Sequence, residues 1–331
     1  MCLAGARWNQ PWPTFVERNH RMRQVSVAVC ALLGAAVLAT GCDMGKLTVG
    51  TTAKVLVRAQ PSLKGESDYD LAARAIPGAL KTIEGFWVVD PDNDALRGIL
   101  MEGYCQYGTG FVEDEWERAK IAENYDEADY QAARATKMYL RCMNYALRGL
   151  GSRWQTDLFS DVDTVKKLVA SAPRGRRNSL MWAAVGLGSA VNMNKDRVEM
   201  ISHFDTVQLM LEKVIEFDSK SLPADRSLAA LPHIAMGLIY SSRGEQLGGD
   251  PEKAKAEFEQ AIQLTDGKYL LANVYFARKY AVMKQDRKLF HETLVKVLTT
   301  PASIWPEQRL ANEIAHRRAR RYLKLEKELF P

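Results

Sequence analysis

The sequence predicts an all-α protein, a tetratricopeptide-like array of helical hairpins, and three observations predict it. From Ser67 onward apolar residues recur at three- and four-residue spacing nearly throughout. Asn-Gly hairpin turns are absent and alternating β-branched runs are few, so strand signals are weak. Small and large residues also alternate within these helices in a pattern that lets neighbours approach closely. Breakers divide the run into elements: Asp90-Pro91-Asp92-Asn93, Gly149-Leu150-Gly151, Pro173-Arg174-Gly175, Leu222-Pro223, Gly248-Gly249-Asp250-Pro251 and Thr300-Pro301. Pro91 and Pro251, each following an Asp, suit the first turn of a helix.

The repeat unit is clearest at His233, Met236, Gly237 and Tyr240, followed by Ala254, Phe258 and Ala261. Trp182, Val185 and Gly186 begin an earlier unit, with Val207, Leu211 and Val214 in its second helix. Ala135, Tyr139 and Cys142 keep the spacing upstream. Leu270, Asn273, Val274 and Ala277 with Asp286, Phe290 and Thr293 make a degenerate last unit. The intervals between units are irregular, so the pattern describes divergent hairpins rather than a regular solenoid.

The start of the chain reads differently. Arg21 and Arg23 precede an apolar, uncharged stretch, Val25 to Thr40, whose 16 residues suit a signal peptide better than a membrane span. Leu38-Ala39-Thr40-Gly41-Cys42 resembles a bacterial lipobox. We therefore expect residues 1–41 to be a signal peptide, with 1–21 an overhang upstream of a start at Met22. Cys42 is then the lipidated residue, 42–66 a tether or an arm lying on the domain, and 67–331 the helical domain. Acyl chains would hold the protein to the periplasmic side of a bacterial membrane, inner or outer. Of the remaining cysteines, Cys105 and Cys142 either pair in an oxidising compartment or lie as two buried thiols, the plainer reading.

The formal charge of +5 falls to +2 once residues 1–41 are set aside. That near balance excludes a nucleic-acid binder with a concentrated basic face. The chemistry-bearing motifs are weak. His291-Glu292-Thr293-Leu294-Val295 opens like a zinc-protease helix but lacks the second His. His203, His233, His291 and His316 have no metal-ligand spacing. Gly186-Leu187-Gly188-Ser189-Ala190 is no nucleophile elbow, and no phosphate loop is present. No catalytic residue, metal or cofactor is expected. The acidic run Glu113-Asp114-Glu115 with Glu117 reads as a solvated face, and Arg174-Gly175-Arg176-Arg177 as an exposed basic loop. The C-terminal helix, with Arg309, Arg317, Arg318, Arg320, Arg321, Lys324 and Lys327, reads as the polar-faced cap that a repeat array needs; a membrane-surface helix is the rival.

Aromatic residues among glycines at Gly103, Tyr104, Tyr107, Gly108, Gly110 and Phe111 suggest open volume with polar tips. The ligand-lining candidates are Trp87, Tyr104, Tyr107, Phe111 and Trp182, with Asn178, Asn192 and Asn312 for polar contacts.

Several stretches, in order, carry a family resemblance. They are Ala75-Ile76-Pro77-Gly78-Ala79-Leu80, Asp90-Pro91-Asp92-Asn93, Tyr107-Gly108-Thr109-Gly110-Phe111-Val112-Glu113, Gly248-Gly249-Asp250-Pro251-Glu252-Lys253-Ala254, Gln285-Asp286-Arg287 and Arg309-Leu310-Ala311-Asn312-Glu313. Together they resemble the T component of tripartite ATP-independent periplasmic (TRAP) transporters over residues 67–330. The resemblance implies a periplasmic lipoprotein whose tetratricopeptide-like helices enclose a central cavity or channel. It implies partnership with a solute-binding P component and a small organic or hydrophobic ligand passed toward a permease. Self-association into a homo-oligomer is a further expectation to test. Two rival readings stand beside it: a scaffold for envelope protein assembly without a small ligand, and a hydrolase using the acidic cluster.

Overall fold

A computed structural model describes residues 44–242, 246 and 248–330. Cys42 and the signal-peptide reading lie outside the described residues. Residues 49–331 form one compact unit, and of the preceding unit only Met44–Thr48 are described. The described residues are helices joined by turns, without a strand.

The helices are α1 (Met44–Lys64), α2 (Tyr69–Val89), α3 (Asp94–Tyr107), α4 (Glu113–Ile121), α5 (Tyr125–Leu150), α6 (Ser152–Asp157), α7 (Val162–Ala170) and α8 (Arg177–Met193). They continue with α9 (Val198–Ile201), α10 (Phe204–Lys220), α11 (Arg226–Ser241), α12 (Pro251–Leu264), α13 (Leu270–Tyr275), α14 (Arg287–Thr299), α15 (Arg309–Lys324) and α16 (Glu326–Leu329). Wide π-helical turns join α3 to α4 at Gly108–Val112 and extend α13 through Phe276–Ala281.

Local chemistry sets where these elements begin. Asp68, Asn93, Asn124, Asp161, Asp225, Asp250 and Asp286 each accept a backbone N–H in the first turn of the helix that follows. Such a cap stabilises a helix start by about 1 kcal/mol. Pro251 stands in the first turn of α12 as expected, whereas Pro91 lies in the turn before α3 and Asn93 is the cap. Asp286, expected at a helix–helix contact, is likewise a cap. Glu123-Asn124 and Gln285-Asp286 repeat one turn: a residue at φ 54° followed by the capping residue. Its N–H reaches back to Ala119 and to Ala281 respectively, at 2.9 Å. The same turn in two hairpins is a trace of repetition that residue spacing alone had blurred.

Packing follows the small–large pattern. α5 lies along α8, α11 along α12, α3 along α5 and α10 along α8. A Cβ at Gly237 would stand 2.9 Å from the ring of Phe258, so glycine is what lets α12 approach α11. A Cβ at Gly186 would meet the Tyr139 backbone carbonyl at 2.9 Å, bringing α8 onto α5 the same way. Tyr139, Phe258 and Phe290, the large repeat residues, are fully buried. Burial of side chains of this size stabilises the fold by about 1.5–3 kcal/mol each.

Of the two readings of residues 42–66, the described part fits an arm: Met44–Lys64 is helical with Val49 and Ala53 buried. Three expectations are corrected. Cys105 and Cys142 are not thiols: α3 and α5 pack side by side, their Cα atoms lie 5.4 Å apart, and a disulfide joins them. The basic loop is a short 3₁₀ turn running into α8, where Arg177 is buried and grips Asp218 through two hydrogen bonds of 2.9 and 2.5 Å. The acidic run is not a solvated face, for Asp114 is fully buried. It pairs with the C-terminal helix, whose Arg317, Arg318 and Arg321 turn inward.

Candidate functional site

The closure of the array starts from that pairing. Asp114 on α4 accepts from Arg317 at 2.9 Å and pairs with Arg321 at 2.6 Å, both on α15. Arg321 also pairs with Glu117, which accepts from the Tyr322 hydroxyl. Arg317 stacks over the Tyr69 ring, 4.4 Å from its centre, and Tyr69 donates to Asp114 at 3.4 Å. Burial opposes the charge on Asp114, but hydrogen bonds from Arg321 and Arg317 outweigh it and hold the carboxyl below its usual range. Residues 200 positions apart are thus drawn into one ionic seam, and early helices meet the last.

Behind the seam lies a cavity of about 290 Å³. Its wall is apolar through the middle: Leu80 and Ile83 from α2, Phe111, Trp182 and Val185 from α8, Val207, and Ile234 and Leu238 from α11. Polar residues interrupt it, Gln106 and Ser189 among them. Two groups of them are linked by charge or hydrogen bonds: Lys64, Glu102 and Gln308 around Asp225 at a first end, and Glu113, Lys279 and Arg318 at a second. Along α3 and its π turn a rise of about 1.5 Å per residue separates Glu102 from Glu113 by roughly 16 Å, so the space is elongated.

The first end is closed by ions. Lys64 pairs with Glu102 at 2.6 Å and lies 3.8 Å from Asp225, and Gln308 donates to Ser227 at 2.9 Å. The second end is built differently. Both π-helical turns border it, through Thr109, Gly110 and Phe111 on one side and Lys279 on the other. A π turn widens the helix and frees backbone acceptors, and such turns recur at functional sites. Here Arg318 donates to the Thr109 carbonyl and, at 2.9 Å, to the Tyr275 hydroxyl. Tyr139 donates to Glu113 at 2.5 Å. Lys279 has no ion pair among the described residues. Burial pushes its ammonium down from the usual lysine range, and Arg278 beside it pushes the same way. Burial and Lys279 also lower Lys195 to about 8. Burial raises the phenols of Tyr275 and Tyr139, so both keep their protons.

Of the residues singled out from the sequence, Tyr107, Phe111, Trp182 and Asn192 line this cavity. The other four do not. Trp87 and Tyr104 belong to a separate aromatic cluster around Tyr145, edge-on at 5.1 Å and stacked at 6.1 Å. Asn178 accepts from Arg177 at 3.1 Å in a second, polar cleft. Asn312 is fully buried and structural: it accepts from the N–H of Leu270 at 3.0 Å and donates to the carbonyls of Lys268 and Ala302. Sequence reasoning missed Lys279, Tyr275 and Arg318. The available signal was Arg278-Lys279 interrupting the apolar run from Leu270 to Val282. Among the described residues no cluster of His, Cys, Asp and Glu could hold a metal ion, and no helix is long and apolar enough to cross a membrane.

Fold and site together define a class: an all-helical repeat protein built around an elongated, mostly apolar cavity. The chain belongs to the TRAP transporter T-component family, whose family model matches residues 65–330. It is also 24% identical over 322 residues to an uncharacterized protein of Treponema pallidum (strain Nichols), a match spanning 90% of this chain and 96% of the relative.

Proposed function

We propose that this chain is a lipid-anchored periplasmic component of a TRAP-type transporter that holds a small apolar organic ligand in its cavity and docks a solute-binding P component. The observation that carries the reading is the elongated cavity, whose aromatic and aliphatic wall excludes water from a ligand's apolar surface. A fully packed interior would have favoured the scaffold reading. Family membership supplies the transport context. The Cys105–Cys142 disulfide suits an oxidising compartment, and the Cys42 lipobox supplies the anchor. Against the hydrolase reading, Asp114 is tied to arginines and held ionised, so it has no proton to give as a general acid.

Native mass spectrometry of the protein taken from its own membranes, with and without a P component of the same organism, tests this. The expected spectrum shows the acylated chain, a retained organic ligand and a complex with the P component. Protein that carries no ligand and forms no such complex would overturn the reading.

A further inference from the structure

We propose that the second, polar cleft, between the first turns of α3 and α8, binds a phosphate group. This cleft shares no lining residue with the central cavity. Its volume is about 760 Å³, and Arg97, Arg174, Arg176 and Arg177 all line it.

Guanidiniums gathered in one place repel each other unless carboxylates balance them. Arg177 is balanced: it holds both oxygens of Asp218 and donates to the Leu228 carbonyl at 2.9 Å. Asp225, also on the cleft wall, is 3.8 Å from Lys64 and accepts from the Ser227 hydroxyl at the start of α11. The other three arginines have one carboxylate near them, Asp94, which accepts from Arg97 and, at 2.8 Å, from Arg176. Arg174 has no ion pair among the described residues and donates to the Phe217 carbonyl at 3.3 Å. Three guanidiniums therefore face one carboxylate, and a doubly charged anion would cancel the excess. A phosphate monoester carries about that charge at neutral pH.

Donor geometry narrows the anion in the same direction. Each guanidinium has several N–H groups in a fixed fork, and Arg97, Arg174 and Arg176 each use one in the bonds just named. Arg97 is 8% exposed, so packing holds its fork in place on the cleft floor. Asn178 accepts from Arg177 through its carbonyl, which leaves its amide N–H groups to donate. A Cβ atom added at Gly98 or Gly175 would meet nothing within 4 Å, so there is room at both positions. Forks from three side chains suit a tetrahedral group with oxygens on every side. A carboxylate is planar and singly charged, and it satisfies one fork. A phospholipid head and a soluble ester present the same phosphate, and the test separates them.

The test uses the full chain in dodecyl maltoside, a detergent without phosphate, titrated calorimetrically at fixed salt. Glycerol 3-phosphate should bind at least about tenfold tighter than acetate. The R174Q/R176Q variant should lose about tenfold or more of that affinity. Both side chains lie toward the surface, Arg176 42% exposed, and circular dichroism verifies the fold of the variant. D94N should act in the opposite sense, tightening glycerol 3-phosphate about threefold or more, because it removes the carboxylate that competes for Arg97 and Arg176. Dihexanoyl phosphatidic acid then identifies the source. A gain of about tenfold or more over glycerol 3-phosphate, lost in R174Q/R176Q, assigns a lipid head, and a smaller gain assigns a soluble ester. No binding of either phosphate probe, acetate binding as tightly, or an affinity unchanged in either variant would overturn the proposal. Hexaglutamate binding tighter than glycerol 3-phosphate would overturn it as well and make the cleft a dock for an acidic protein segment.

Discussion

Two lysines face the cavity from opposite ends, and their surroundings differ in kind. Lys64 reaches back from the end of α1 and is paired with Glu102 and Asp225. Lys279 sits on a π-helical turn beside an apolar wall and has no ion pair among the described residues. The seam beyond it repeats the first pattern more strongly, with Asp114 buried among three arginines. The pairs made by Lys64 and by Asp114 join different helices. Lys279, with no ion pair among the described residues, lines the cavity. A charge held without a partner is retained at the expense of stability, and that expense is the mark of a binding group.

The comparison breaks most visibly at Asp114. D114N leaves the seam arginines facing a neutral amide, and unfolding by urea should show a loss of about 3 kcal/mol. The same carboxyl gives a pH signature. Its value in the fold lies below 3.8, so its contribution is fully present above that pH and is lost as pH falls through the depressed value. Stability of the unaltered chain should therefore fall more steeply in acid than that of D114N; parallel curves would mean that the seam does not hold the ends together.

K279M should act with the opposite sign. Removing an unpaired, partly buried ammonium raises stability by about 1 kcal/mol at neutral pH. The gap should narrow as pH rises toward 10.5, because the lysine in the fold gives up its proton sooner than in the unfolded chain. A destabilised K279M would make Lys279 structural and erase the contrast. K64M is the smallest of the three, a loss of about 0.5 kcal/mol, since a partly exposed pair contributes little. Thermal unfolding of both lysine variants side by side measures the difference directly.

Much of this was legible in the residues. The helical periodicity and the 233–261 hairpin depend on neighbours within a turn or two, and such short-range chemistry is written in order along the chain. Tyr107, Phe111, Trp182 and Asn192, named from the sequence as lining candidates, do border the cavity. The pairing of Cys105 with Cys142, the burial of Asp114 by arginines two hundred positions away and the structural role of Asn312 were decided only when distant helices met. Sequence by itself determined which segments coil and which faces are apolar. The tertiary structure decided which charges find partners, because ion pairing falls off over a few ångströms and those distances do not exist until the array closes.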